Sequence, residues 1–233
     1  MKLLGLKLLN LASYIYLLVA SFFLAGNFMN SPSDNVLVMP APFAFSIWFV
    51  IYLLLLFFIF RSFFASEELN GVIRKIGLWF PFSMILSGTT VVVGTTPSIL
   101  FIALSLVTLC VVYTLLQSIP GLPRKNRAPF SIYLAWTSIA AIVDTFVVLK
   151  ENQVSELFAI GELGWSVIIL TAGGLIAIAF HFYNKDYLFP LVFVWGYGAI
   201  FAYQENTLIR FITGAFVIIL LFIVFFSFLK NRR

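Results

Sequence analysis

The sequence predicts an all-α polytopic membrane protein, a bundle of eight transmembrane helices. Of its 233 residues, 62% are apolar and only 10% are charged, whereas soluble domains carry about 45–50% apolar and about 25% charged residues. Phe alone occupies 28 positions. Because so few charged side chains cannot cover a water-soluble fold of this size, the lipid bilayer is the first partner that we predict.

The spans follow from the lengths of the apolar runs. A helix needs about 20 apolar residues to cross about 30 Å of hydrocarbon. Eight runs near that length are predicted as spans: 8–29, 42–61, 76–96, 97–119, 129–149, 164–183, 187–204 and 208–229. Thr96-Pro97 is typical of an N-cap and a first-turn proline, so it divides the third span from the fourth. Pro42 and Pro129 begin the second and fifth spans, and turn clusters at 30–34 and 120–123 precede these two spans.

The distribution of basic residues predicts the topology. With a cytoplasmic N-terminus, eight spans place every Lys and Arg on the cytoplasmic side except Lys150 and Arg210, as the positive-inside rule requires. Both termini are therefore predicted in the cytoplasm, in a multi-pass protein of the plasma membrane. This loop bias accounts for the net charge of +5, so we expect no nucleic-acid partner. The first apolar run exceeds the 7–15 residues of a signal-peptide core, which predicts an uncleaved helix.

Several kinds of chemistry are excluded by composition. His181 and Cys110 are the single residues of their types, so no metal-ligand spacing exists. No glycine-rich phosphate loop is present. Asp144 has no second acid inside a predicted span with which to form an aspartyl-type hydrolase. We therefore predict no enzyme activity, no catalytic residue, no metal site and no required cofactor.

The second span places three aromatic side chains on one helix face. Phe45, Trp48 and Tyr52 follow one another at spacings of three and four, which bring them to the same side of a helix. Trp48 lies about 9 Å along the helix from Pro42, deeper than the headgroup level. An indole N–H at this depth needs a partner within the bundle. Ordinary aromatic packing and ligand binding both account for such a face.

The fifth span repeats the arrangement with a carboxylate added. Tyr133, Trp136, Ala140 and Asp144 are spaced by three, four and four residues. Asp144 is the one carboxylate well inside a predicted span, and a charged group at the bilayer centre costs at least about 2.5–3.5 kcal/mol. Two roles stay open for it. In the first, it lines a pocket, where it contacts a ligand or takes part in proton coupling. In the second, it is structural, and it either hydrogen-bonds between helices or extends outward toward water.

These two faces resemble a known family. Residues 40–52, PAPFAFSIWFVIY, are similar to the proline-aromatic start of the second helix of the TspO/MBR family, the tryptophan-rich sensory proteins related to the translocator protein. Pro129, the stretch YLAWTSIA over 133–140 and Asp144 resemble that family's last-helix motif, in which Asn is usual at the Asp144 position. The resemblance covers residues 1–150, predicted as a five-helix core domain. Residues 151–233 are then a three-helix C-terminal extension.

The resemblance implies a tilted five-helix bundle with a sensory, regulatory or transport role. Its ligand would be planar and hydrophobic, a porphyrin or other tetrapyrrole or a sterol-like molecule, and the protein would be able to form a homodimer. The implied ligand-binding residues are Phe45, Trp48, Tyr52, Tyr133, Trp136, Ala140 and Asp144. The alternative function is a proton-coupled secondary transporter that uses Asp144 as its intramembrane carboxylate.

Overall fold

A computed structural model describes residues 2–24 and 36–230 of the chain. Within these two ranges the protein has nine α-helices, and Glu156–Leu157 (β1) and Ile160–Gly161 (β2) form a short antiparallel hairpin. The helices are α1 (Leu3–Val19), α2 (Ile47–Phe63), α3 (Glu67–Ile76), α4 (Trp79–Thr90), α5 (Thr95–Gln117), α6 (Arg124–Glu151), α7 (Glu162–Asn184), α8 (Leu188–Tyr203) and α9 (Thr207–Lys230). A π-helical segment, Ala20–Leu24, continues α1, and a 3-10 helix, Pro42–Ser46, leads into α2.

The prediction of an all-α membrane bundle is confirmed, with nine helices in the described part of the chain rather than eight. The additional helix is α3, which lies in a segment predicted as a cytoplasmic loop. Its apolar residues, among them Leu69, Val72 and Ile73, are buried, while Glu67 and Glu68 are exposed. This is the pattern of an amphipathic helix with one apolar stripe. A search for apolar runs of about 20 residues does not detect it.

Six helical segments of the described chain are long and apolar enough to cross a membrane. Two predicted spans are shorter than expected. The third, predicted over 76–96, is reduced to α4, whose 12 residues extend about 18 Å. Gly77, with φ +52°, ends α3 directly before it, and a turn at 91–94 follows it. The seventh is α8, with 16 residues. The end of the first predicted span and the turn cluster at 30–34 lie outside the described residues.

The fifth span begins earlier than predicted. Pro129 was expected to open it, but α6 begins at Arg124 and contains Pro129 in its second turn. Pro129 is the sixth residue of α6, so it lies beyond the first four N–H groups that lack an intrahelical acceptor, and it removes the hydrogen bond to the carbonyl of Lys125. The helix continues through Pro129 without this bond, and its 28 residues form the longest helix of the described chain.

The chain divides into two compact units, and α6 contributes to both. The first unit comprises Met1–Ser31 and Ile47–Thr137. Here α4 packs against both α1 and α5, and α3 contacts α1, α2 and α5. Its core contains an edge-to-face cluster of Phe58, Phe80 and Phe130 from α2, α4 and α6, with ring centroids 4.9–5.7 Å apart.

The second unit comprises Pro32–Ser46 and Ser138–Arg233. The segment before α2 is tied to α8 in this unit. The indole N–H of Trp195 donates to the carbonyl of Ala44 at 3.0 Å, and the amide N–H of Ala41 donates to the carbonyl of Ala199 at 3.1 Å. Helices α7 and α9 pack together and against α8. The proposed separation into a 1–150 core and a 151–233 extension stays a prediction.

Candidate functional site

Three of the seven predicted ligand-binding residues meet in the first unit. Trp48 and Tyr52 lie one turn apart on α2, and their rings stack with centroids 5.6 Å apart and planes at 24°. Tyr133 of α6 meets the ring of Trp48 edge-on, at 6.1 Å and 69°. Tyr52 and Tyr133 are buried, whereas Trp48 is half-buried. Trp48 therefore presents the accessible ring surface of this group, which we call the aromatic cluster (Trp48, Tyr52 and Tyr133).

A chain of hydroxyl groups holds Tyr133 in place. Its hydroxyl donates to Oγ of Ser87 at 2.5 Å, and Oγ of Ser87 lies 2.7 Å from Oγ of Ser105. The hydroxyl of Ser105 in turn donates to the carbonyl of Ser83 at 3.2 Å. All four residues are buried. Ser83 and Ser87 lie one turn apart on α4, so they share the face that meets α5. This network fixes the tyrosine ring against the tryptophan.

Tyr52 is held in a similar way from the end of α1. Its hydroxyl donates to Oγ of Ser21 at 2.8 Å, and its carbonyl accepts a 3.0 Å hydrogen bond from the hydroxyl of Tyr14. The ring of Phe22 meets Tyr52 edge-on at 5.8 Å. Ser21 and Phe22 both belong to the π-helical segment that continues α1, and such segments are frequent at functional sites.

The other predicted site residues have different surroundings. Trp136 follows Tyr133 on α6 and is fully buried in the first unit. Phe45, Ala140 and Asp144 belong to the second unit. Phe45 is exposed, Ala140 is half-buried, and Asp144 is only 8% exposed. That these three residues bind the ligand stays a prediction.

A family model with the description "TSPO-like protein" matches residues 4–227. The chain belongs to the TSPO-like protein family. The match confirms the resemblance to the TspO/MBR family and continues through α7, α8 and most of α9. No curated protein and no solved structure matches the chain. Together with the six helices of spanning length, the family makes this an integral, multi-pass membrane protein of the TspO type.

The polar partners of the aromatic cluster in this TSPO-like protein were not predicted. Neither Ser83 nor Ser87 was among the seven residues expected to form the site. Their spacing of four on α4 was the available signal, because two hydroxyls on one buried face require partners. The partner in α5, Ser105, had no comparable signal in the sequence.

His181, the single histidine, is a packed side chain in the second unit. Its ring nitrogens lie 2.9 Å from the carbonyl of Asp186 and 2.9 Å from Oγ of Ser227. Both nitrogens are thus used in contacts between α7, the loop that follows it and α9. Over residues 2–24 and 36–230 the structure contains no group of three His, Cys, Asp or Glu side chains placed to hold a metal ion.

Proposed function

We propose that this TSPO-like protein binds a planar, largely apolar molecule, a tetrapyrrole or a sterol-like compound, against the aromatic cluster. The observation that supports the proposal best is the half-buried Trp48 ring, stacked on Tyr52 and braced edge-on by Tyr133. A stacked aromatic pair offers a flat apolar surface of the kind on which planar ligands stack. Small-molecule sites are mostly apolar with few polar groups.

The rigidity of the aromatic cluster supports the same proposal. Both tyrosine hydroxyls are bonded to serine side chains, Tyr52 to Ser21 and Tyr133 to Ser87. The rings are therefore fixed before any ligand arrives. A site whose side chains are already ordered loses less conformational entropy on binding, which raises affinity. We favour a role in sensing or regulation, in which the protein binds its ligand, catalyses no reaction and requires no cofactor.

Proton-coupled transport is the second proposal, and the burial of Asp144 favours it. This carboxylate is 8% exposed on α6, a helix long enough to span the membrane. Carboxylates in such positions commonly serve in ion and proton pathways. If Asp144 couples proton movement to transport, Asp144→Asn abolishes proton-dependent uptake. If the protein only binds its ligand, porphyrin quenching of tryptophan fluorescence survives Asp144→Asn.

The test of ligand binding is a titration of the detergent-purified full chain with protoporphyrin, followed by tryptophan fluorescence. We expect Trp48→Leu to weaken binding about two- to twelvefold, because an aromatic pair contributes about 0.5–1.5 kcal/mol beyond the area it buries. Trp79→Leu is the matched control. Trp79 begins α4 in the same unit, is 45% exposed and has no ring partner in the part of the chain that the structure describes. Equal affinities for the two variants would overturn the proposal.

We also propose that both termini face the cytoplasm and that the protein lies in the plasma membrane, where it can form a homodimer. The loop distribution of Lys and Arg supports the orientation. The test uses Cys110→Ser, which removes the single cysteine. In this background a membrane-impermeant maleimide should label Glu205→Cys from outside intact cells and should not label Glu67→Cys. The reverse labelling would contradict the orientation.

A further inference from the structure

The second unit contains a cavity that belongs to no predicted site. Its volume is about 220 Å³, it is open on one side, and it is lined by the C-terminal end of α6, the β1–β2 hairpin and the first turn of α7. Phe146, Leu149 and Trp165 form apolar walls, together with Leu157 and Ile160 of the hairpin. Pockets for drug-sized ligands measure about 300–1,000 Å³, so this cavity fits a smaller group.

The backbone around the cavity is held in strained conformations. After α6, Gln153 has φ +57° and its N–H bonds to the carbonyl of Lys150, while the N–H of Val154 bonds to the carbonyl of Leu149. This is a Schellman arrangement, in which glycine normally takes the left-handed position. At the hairpin turn Phe158 and Ala159 have φ +54° and +60°, where Asn-Gly is preferred.

Each of these three left-handed residues is strained because its Cβ approaches the backbone. Such residues cluster at binding and active sites, where the surrounding structure holds them in place. Gln153 lines the cavity itself, and the turn of Phe158 and Ala159 joins two strands that line it. Three of the four non-glycine residues with positive φ in the described chain therefore lie at or beside this cavity, and the fourth, Lys185, follows α7.

The charges around the cavity leave one carboxylate without a partner. Nζ of Lys150 lies 3.4 Å from Oε2 of Glu162, whose Oε1 accepts a 2.7 Å hydrogen bond from the N–H of Leu37. The positive charge of Lys150 is thus matched within the site. Glu156 also lines the cavity and makes no ion pair with any residue in 2–24 or 36–230. The lining therefore carries one negative charge that a cation would complement.

The aromatic wall is suited to the same kind of ligand. The indole N–H of Trp165 donates to the carbonyl of Leu157 at 2.9 Å, which fixes the ring against the hairpin. Tryptophan is the best aromatic partner for a cation, and aromatic walls recognise quaternary ammonium groups. From the cavity size, the unpaired Glu156 and the fixed Trp165, we propose that this cavity binds a small organic ammonium ion of the choline type. The ion is either a free quaternary ammonium compound or the headgroup of a choline lipid.

The test is a thermal-shift and calorimetric titration of the full chain, purified in a maltoside detergent, with choline as the probe. The uncharged isostere of choline, 3,3-dimethylbutan-1-ol, measures the contribution of the charge. We expect saturable choline binding at least tenfold tighter than binding of the alcohol. Glu156→Gln should weaken choline binding about fivefold or more, whereas Glu205→Gln, an acid in the loop between α8 and α9, should leave it unchanged.

Two further variants test the aromatic wall. Trp165→Leu should remove choline binding, and Trp165→Phe, which keeps a ring, should retain part of it. If Trp165→Leu lowers the melting temperature of the ligand-free protein, its loss of choline binding reflects damage to the fold. The choline affinities of Trp165→Phe and Glu156→Gln then test the proposal. Equal affinities for choline and its alcohol isostere, or full affinity in Glu156→Gln, would overturn the proposal.

The membrane composition distinguishes the two sources of the ammonium group. If a lipid headgroup occupies the cavity, the apparent affinity for choline falls in phosphatidylcholine nanodiscs relative to phosphatidylglycerol nanodiscs. If the ligand is a free quaternary ammonium compound, the affinities in the two membranes agree. Absence of saturable binding in phosphatidylglycerol nanodiscs would also overturn the proposal. Protoporphyrin quenching in the Glu156 and Trp165 variants is expected to be unchanged, so failure here leaves the proposed function at the aromatic cluster intact.

Discussion

Replacement of Tyr133 by Phe tests how the aromatic cluster is held in place. The change removes one hydroxyl and keeps the ring that meets Trp48. The lost interactions are the hydrogen bond to Oγ of Ser87, 2.5 Å long, and a longer one to the carbonyl of Ser83 at 3.3 Å, both buried between α6 and α4. Ser87 keeps its contact with Ser105 at 2.7 Å, and the carbonyl of Ser83 keeps the hydroxyl of Ser105, so no buried polar group is left without a partner. The cost is then that of the two hydrogen bonds of the tyrosine hydroxyl.

Hydrogen bonds between membrane helices contribute about 0.6 kcal/mol on average and at most about 1.7 kcal/mol. We therefore expect Tyr133→Phe to lower the free energy of unfolding by about 0.6–1.7 kcal/mol. Ser87→Ala should cost more, because it also removes the contact with Ser105. The double variant should cost less than the sum of the two single variants, with a coupling energy of about 0.5 kcal/mol or more, as for residues in one network.

The measurement is a titration of the full chain with sodium dodecyl sulfate in mixed micelles, followed by tryptophan fluorescence. Tyr203→Phe is the control, because Tyr203 ends α8 and is exposed. It should change the free energy of unfolding by less than about 0.5 kcal/mol. Additive effects of Tyr133→Phe and Ser87→Ala, or a Tyr133→Phe variant as stable as the control, would refute the reasoning.

Three further predictions concern other parts of the chain. In Gly174→Ala the new Cβ would clash with the ring of Phe216, so thermal denaturation should show a loss of about 1–3 kcal/mol from overpacking. Gly198→Ala, with open space around it, should not show this loss. Gln153→Gly should stabilise the protein by about 1 kcal/mol in the same assay, because it relieves a left-handed residue. Asp144→Asn should leave protoporphyrin quenching within twofold of the wild type, and a larger loss would assign Asp144 to the ligand.

The helices of membrane-spanning length could be predicted from the sequence because the bilayer imposes one simple requirement. Each long span must supply about 20 apolar residues, and this pattern is visible in a single sequence. Helix α3 obeys a different rule, since only one face of its ten residues is apolar. Its burial depends on contacts with α1 and α5, which are distant in the sequence.

Part of the aromatic cluster was also predictable. The spacing of four residues places Trp48 and Tyr52 on one face of any helix, and the structure stacks them. The contact between Tyr133 and Trp48 depends on how α2 and α6 pack, which helix periodicity does not predict. Only the family motif placed both residues in one site. The contacts of residues 36–46 with α8 had no local signal. The side-chain amide of Gln204 donates to the carbonyls of Val36 and Met39, about 165 residues earlier in the chain.

The planar ligand that we propose lies on Trp48. The most direct test is 19F nuclear magnetic resonance of the full chain labelled with 5-fluorotryptophan, which gives one resonance for each of the five tryptophans. The resonance of Trp48 is assigned by its loss in Trp48→Phe. We predict that protoporphyrin shifts this resonance most, through its ring current, and leaves that of Trp79 unchanged. A Trp48 resonance that stays in place while another tryptophan shifts would contradict the claim.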